Sequence, residues 1–248
     1  MARKIVLPPE EPHFGPWTVE PLETLVQLLV RECPDTPAQP CIVAIDGRSG
    51  SGKSTLAAAL QKAISNVAVV HTDDIPTSSN WSGRDAYTPH NRPAQRSFFD
   101  WTERLLMEVL RPARAGQAVQ YRPPAWDDWN REENAIDVPL ECSLLILEGV
   151  GAARRELTNL LYITIWVQSG LQKARTRGVE RDGDNAEAAA FWEGFMSEEL
   201  PFLADQRPWE RADIVLNSTL EGPHDPSKEI VIAESSYTRG RDRTSFKS

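Results

Sequence analysis

The chain has 248 residues, 40% hydrophobic and 25% charged, enough apolar material for one large domain or two small ones and the balance of an ordinary globular protein. Its formal net charge of -9 excludes general binding of nucleic acid or an anionic membrane, because neutralising many phosphates needs Lys and Arg gathered on one face. Phosphate chemistry, if present, is therefore local and directed at a small ligand.

Residues 1–17 are rich in Pro and charge and are expected to be irregular. In TVEPLETLVQLLVREC, residues Leu22, Leu25, Val26, Leu28 and Leu29 recur at helical spacing behind Thr18 as N-cap, which predicts a helix over 18–32. Its apolar face suits either the sheet or a second subunit of a homodimer. PDTPAQP breaks that helix. CIVAID is a short apolar strand that leads through a glycine-rich loop into the Ala- and Leu-rich helix KSTLAAALQKAIS. VAVVHTDD is a second strand and ends in two carboxylates, and the polar, turn-rich stretch after it, 75–93, reads as a loop. AQRSFFDWTERLLMEVLRPARAG is a long helix that Pro112 ends or kinks. Residues 117–139 mix aromatics with charges. SLLILEGVGA and LLYITIWVQS are a third and a fourth strand. Residues 170–206 are mostly helical with a break near RDGDN, ADIVLNST is a fifth strand, and the basic tail from Ser235 reads as disordered.

Strands that alternate with helices and read as continuous apolar runs predict an α/β fold, with a parallel sheet of about five strands sandwiched between helices. The expected organisation is an N-terminal extension over 1–40, a central domain over 41–220 and a C-terminal tail over 221–248. Cys33, Cys41 and Cys142 show no C-x-x-C spacing and read as buried thiols, and the four histidines form no metal pattern. The N-terminus lacks the apolar core of a signal peptide, and no apolar run is long enough to span a bilayer, so a cytoplasmic location is expected.

The chemistry enters at GRSGSGKST. Gly47, Gly52, Lys53 and Ser54 fit G-x-x-x-x-G-K-[ST], with a strand before and a helix after. Glycines let a loop turn its amide N–H groups inward, and the helix that follows adds the positive end of its dipole. The loop, with Gly47, Ser49, Gly50, Ser51, Gly52, Lys53, Ser54 and Thr55, is therefore the candidate site for the triphosphate of ATP or GTP. Lys53 supplies a charge for the β- and γ-phosphates, and the Ser54 hydroxyl is a candidate Mg²⁺ ligand.

Other residues indicate what happens to that phosphate. The guanine-reading N-K-x-D and the D-x-x-G of switch GTPases are missing, and so is the Asp-Glu strand end of ATPase motors. Asp73, in HTDDIP, is the candidate general base, with Asp74 as the alternative. Asp73 is also a candidate for the metal, as is Glu148 at the end of SLLILE. Arg175, Arg177 and Arg181 surround a helix leading into a turn. Arg177 and Arg181 are the favoured lid arginines, placed to stabilise charge on a transferring phosphoryl group.

GRSGSGKST, TDD, LEGVGA and RGVERD occur in the order of the uridine kinase-like family of P-loop kinases, which this chain resembles over about residues 40–219. The resemblance implies a P-loop kinase fold with a helical lid, Mg²⁺-dependent phosphorylation of a hydroxyl from ATP or GTP, and an aspartate base at the place of Asp73. It also aligns Trp126 and Asp127 of AWDDW with the family's substrate-binding segment, Tyr121 lies just upstream, and these with Asp74 are candidate acceptor contacts. The family's Asp-x-Phe-Tyr after the second strand is DDIP here, so Tyr87 is a candidate for the missing tyrosine, and Arg92 (with Arg84 and His90) is a candidate contact for a charged acceptor. The expected acceptor is a small nucleoside or nucleoside-like hydroxyl compound. The rival readings are a kinase of a sugar, vitamin or antibiotic, and a nucleotide-binding regulatory module with little turnover.

Overall fold

The strand β2 (Cys41–Gly47) is buried along its whole length, and its side chains alternate between two cores. Ile42 and Ala44 join one apolar cluster, while Val43 and Ile45 join another on the opposite face. A strand with no wet face belongs in the middle of a covered sheet. The computed structural model describes residues 14–33, 39–75, 99, 101–122, 135–218, 225 and 227–233.

Around β2 lie β3 (Val67–His71), β6 (Leu144–Glu148), β7 (Ile163–Gln168) and β8 (Ile214–Asn217). Their order is β8-β7-β2-β6-β3, and every neighbouring pair is parallel. The expected five-stranded parallel core is present. Two antiparallel strands extend it at the β8 edge: β9 (Glu229–Ala233) beside β8, then β1 (Trp17–Pro21), giving a sheet of seven strands. A separate two-stranded sheet pairs β4 (Val119–Tyr121) with β5 (Ile136–Val138).

Helices cover both faces. Leu25 and Leu29 of α1 (Leu22–Glu32) and Ala57 and Leu60 of α2 (Lys53–Ala63) pack on the odd-numbered side of β2. The other face takes α3, which comprises Thr102–Leu105, a π-helical turn Leu106–Leu110 and Arg111–Arg114. Leu105, Val109 and Leu110 of α3 meet Ile42, Ala44, Leu145 and Leu147 there. The wide π turn lies directly ahead of Pro112, whose missing N–H disrupts regular helical bonding; the helix then ends at Arg114. Beyond the chain's fourth parallel strand come α4 (Leu171–Arg181) and α5 (Ala186–Gln206), with Leu203 of α5 packed among Trp166 and Val215. Asn185 ends the break between them, its side chain accepting from the Ala188 N–H at 2.9 Å.

Two expectations need correction. Thr18 is not an N-cap: it lies in β1 opposite Ile232, and α1 begins only at Leu22. Thr18 and Val19 are β-branched and Glu20 precedes a proline, all of which favour extended backbone. Of the two placements open to the apolar face of α1, it takes the sheet, where Leu25, Val26 and Leu29 are buried. Cys33 and Cys41 are not separate buried thiols but a disulfide, with Cα atoms 5.6 Å apart, joining the end of α1 to the first residue of β2. Their spacing carries no motif; the return of the chain from α1 to the sheet brings them together. Cys142 stays free and buried. Among the described residues no helix is long and apolar enough to cross a membrane.

Thiol titration tests the pairing directly. Denatured without reductant, the chain should expose the Cys142 thiol alone, and after reduction all three cysteines should react.

Candidate functional site

β2, β6 and β3 run parallel, so their carboxyl ends reach one edge of the sheet, where open α/β sheets bind ligands. β2 delivers the loop 47–52 and then α2 at Lys53. β6 delivers Glu148, and β3 delivers His71 followed by a 3₁₀ turn, Thr72–Asp74. The strand beside β2 on this side is β6 and not β3, so Glu148 is the loop's immediate neighbour and Asp73 stands one strand further out. Chain order does not dictate sheet order, because a crossover lets a parallel strand skip a position.

A residue outside the motif holds these ends together. Asp46 has no exposure to solvent, and its carboxylate accepts three backbone N–H groups: Gly47 at 2.7 Å, Gly151 at 2.9 Å and Ala153 at 2.9 Å. Burial pushes its pKa up, and the three amides and Lys53 oppose that. The last two donors belong to the segment after β6, so one carboxylate ties the exit of β6 to the start of the phosphate loop.

Ser54 donates its hydroxyl to Glu148 Oε1 at 3.1 Å, and His71 Nδ1 lies 2.5 Å from Glu148 Oε2. Burial alone would raise the Glu148 pKa, but His71, Lys53 and Ser54 together outweigh it and hold the group below its ordinary value. His71 moves the other way, raised chiefly by its hydrogen bond to Glu148. Both shifts favour a charged pair. Mg²⁺ takes oxygen ligands, one or two of them from carboxylates, and fills the rest with water and phosphate oxygens. Ser54 and Glu148 present a hydroxyl and a carboxylate oxygen within contact of each other and fit that ion, with His71 fixing the carboxylate's second oxygen.

Asp73 is exposed while Asp74 beside it is buried. Although a solute can reach Asp73, the protein crowded around its carboxyl desolvates it and the charges of Glu148 and Asp74 add repulsion. Lys53 and His71 pull the other way, and the balance stands at about 6. Lys53 is itself buried, and its Nζ donates to the Arg48 carbonyl within the loop at 2.9 Å.

The loop is packed tightly against α4. Gly50 has φ +77°, and a Cβ there would lie 2.2 Å from the Ala174 carbonyl oxygen. At the exit of β6, a Cβ on Gly149 would fall 1.8 Å from Thr72 Oγ1. Of the three arginines of α4, Arg175 pairs with Glu193 at 3.2 Å on the surface. Arg177 donates to the Ser218 carbonyl at 2.9 Å, past the end of β8, and Ser218 lies beside Gly52 of the loop, 3.8 Å from where a Cβ on that glycine would stand. Arg181 bonds Asp182 at 2.9 Å and lies 5.8 Å from the Trp192 ring; its pKa is raised first by Asp182 and further by Asp73 and Glu148, whose field it therefore feels. Tyr121 is in β4, where its hydroxyl accepts from Arg104 at 3.3 Å. Tyr87, Arg92, Trp126 and Asp127, with Arg84 and His90, lie outside the described residues.

The sequence reading did not single out Asp46, His71 or Glu199. Asp46 carried a local signal, an acid closing an apolar strand. Glu199 had none: it lies 150 positions from Ser49, whose N–H it accepts at 2.7 Å.

No family model and no curated protein matches the chain by sequence. Solved structures do match its fold. A candidate uridine kinase from Bacillus stearothermophilus superposes with a TM-score of 0.51 at 21% identity, over 78% of this chain and 96% of that one. A candidate fructose transport system kinase from Silicibacter sp. TM1040 gives 0.50 at 22% identity, over 77% and 94%. The chain shares the fold of these two proteins.

Two substitutions probe this architecture. Asp46→Ala leaves three buried N–H groups without an acceptor and should cost about 3 kcal/mol or more of unfolding free energy, read by urea denaturation. Gly50→Ala places a methyl against the Ala174 carbonyl at a positive φ, so nucleotide affinity measured by calorimetry should fall by about tenfold or more.

Proposed function

We propose that this chain is a phosphotransferase that moves the terminal phosphoryl group of ATP or GTP, with Mg²⁺, to a hydroxyl of a nucleoside or nucleoside-like small molecule. The observation that carries this reading is the convergence at one sheet edge of Ser54, bonded to Glu148 at 3.1 Å, with Asp73, whose carboxyl that same Glu148 helps to hold at about 6. A module that only held nucleotide would have use for the first contact. A carboxylate beside the loop that a solute can reach is what transfer to an alcohol would use as proton acceptor.

In this mechanism the loop's free amides and the start of α2 bind the phosphates. Lys53 leaves the Arg48 carbonyl and turns to the γ-phosphate. Ser54 and Glu148 would hold Mg²⁺, which when bound would supply positive charge for the phosphoryl oxygens. Asp73 orients the acceptor hydroxyl and takes its proton as the new O–P bond forms and the bond to the β–γ bridging oxygen breaks, releasing the nucleoside diphosphate. Arg181 lies in the field of Asp73 and Glu148 and offsets their charge as the anionic phosphoryl group passes. Arg177, the other lid arginine, is held at Ser218 beside Gly52 of the loop and adds positive charge there.

A second reading keeps the chemistry and changes the acceptor to a sugar, vitamin or antibiotic. It is favoured by the segment after Asp74, where Ile75 is buried in the core beside α3 and the family's tyrosine is absent. The two solved neighbours carry the names of a possible uridine kinase and a fructose transport system kinase at nearly equal similarity, so the fold does not choose between acceptors. Phosphoryl transfer from ATP and from GTP, with Mg²⁺, across nucleosides, sugars, vitamins and nucleoside antibiotics decides it; nucleotide binding with no transfer to any alcohol would sink both readings.

Two kinetic outcomes are expected once an acceptor is found. Asp73→Asn should lower kcat by about 10²–10⁴-fold while the affinity for ATP stays within a few-fold. Asp73 acts as the deprotonated carboxylate and its pKa is raised to about 6, so kcat/KM should fall about tenfold per pH unit below that value and level off above it.

A further inference from the structure

The apex of the phosphate loop is gripped by both lid helices. From α4, the Ala174 carbonyl closes on Gly50 so tightly that no side chain fits between them. From α5, Glu199 reaches the neighbouring residue, and its Oε1 accepts the Ser49 N–H at 2.7 Å. The two helices are themselves interlocked: a Cβ on Gly178 of α4 would lie 2.0 Å from the Trp192 ring of α5.

Glu199 is an expensive way to make one hydrogen bond. It is 1% exposed, and its second oxygen, Oε2, is buried with no hydrogen-bond partner among the described residues. A neutral acceptor would satisfy Ser49 at lower cost. Burial pushes its pKa up and Asp73 adds to that, while the Ser49 N–H, Lys53 and Arg48 oppose it. The carboxylate therefore sits within the electrostatics of the phosphate site although it comes from a helix 150 positions away.

We propose that Glu199 is a positioning residue for the phosphate loop. By holding the Ser49 N–H it withdraws that donor from the ligand, sets the apex so that the amides from Gly50 onward serve the phosphates, and links the loop's shape to the α4–α5 pair that carries Arg177 and Arg181. Lid position and loop shape then form one equilibrium, and a displacement of α5 loosens the nucleotide site. The inference rests on the reading of this loop as a nucleotide site.

The test compares wild type, Glu199→Gln and Glu199→Ala by calorimetric binding of Mg·ATP and Mg·ADP, with melting temperatures in parallel. Glu199→Gln keeps an oxygen acceptor for Ser49 and should bind both nucleotides within about threefold of wild type. Glu199→Ala should lose about tenfold for both, the size of one charge-assisted hydrogen bond. Equal losses in the two variants would overturn the proposal, as would a lowered melting temperature in Glu199→Ala with unchanged affinity of the folded protein, which would make Glu199 a packing residue. Hydrogen exchange on the nucleotide-free wild type gives a reading that needs no variant to fold. The Ser49 amide should exchange slowly, and free exchange overturns the proposal. A wild-type chain that binds neither nucleotide would overturn the functional reading instead, and the Ser49 exchange rate still decides whether Glu199 holds the loop.

Discussion

A carboxylate with no access to water stands where β2 becomes the phosphate loop. Asp46 is held there by three backbone N–H groups, one from the loop and two from the segment that follows β6. Strand ends are where a sheet loses its ladder bonds, so they would otherwise be its loosest part. Here one side chain makes the ends of two adjacent strands a single piece, and Glu148, three residues before the first of the β6-side donors, inherits a fixed position from it. Ser54 can meet Glu148 because α2 starts from the same anchored loop.

The site built on this anchor is rich in acids. Asp73 and Glu148 face one another's field, Glu199 lies behind the loop, and Lys53 influences all of them. Their pKa values part accordingly: Glu148 is held low by His71 and its other partners, whereas Asp73, with no comparable partner, is raised. Two carboxyl groups with different environments can take different work, one on a metal and one on a proton. The chain's overall acidity is no obstacle, since the positive groups needed for phosphate, Lys53, the loop amides and the start of α2, are all local.

Close backbone approach does the remaining positioning. Gly50 against Ala174, Gly149 against Thr72 and Gly178 against Trp192 are contacts in which no side chain could be interposed. Each joins a loop or helix of the site to its neighbour at backbone distance, where small displacements are transmitted rather than absorbed. The helices α4 and α5 are thereby part of the loop's support.

The phosphate loop, the five parallel strands, the break between α4 and α5, and the placement of Asp73 and Glu148 at strand ends were all legible in the sequence, because each depends on residues close together in the chain: a glycine pattern, an apolar run, a cap such as Asn185. Strands β1 and β9 were not, since Trp17–Pro21 and Glu229–Ala233 are strands by virtue of pairing with each other across the whole chain. The position of β6 between β2 and β3 and the hold of Glu199 on Ser49 share that origin, and the Cys33–Cys41 bridge, though its cysteines are only eight positions apart, depends on α1 and β2 packing side by side. By itself the sequence determined that this protein has a phosphate loop set between a strand and a helix, since local backbone geometry needs only neighbouring residues. The tertiary structure alone decided which carboxylates stand around that loop, because an ordinary Glu or Asp gains its role only from the partners that folding brings to it.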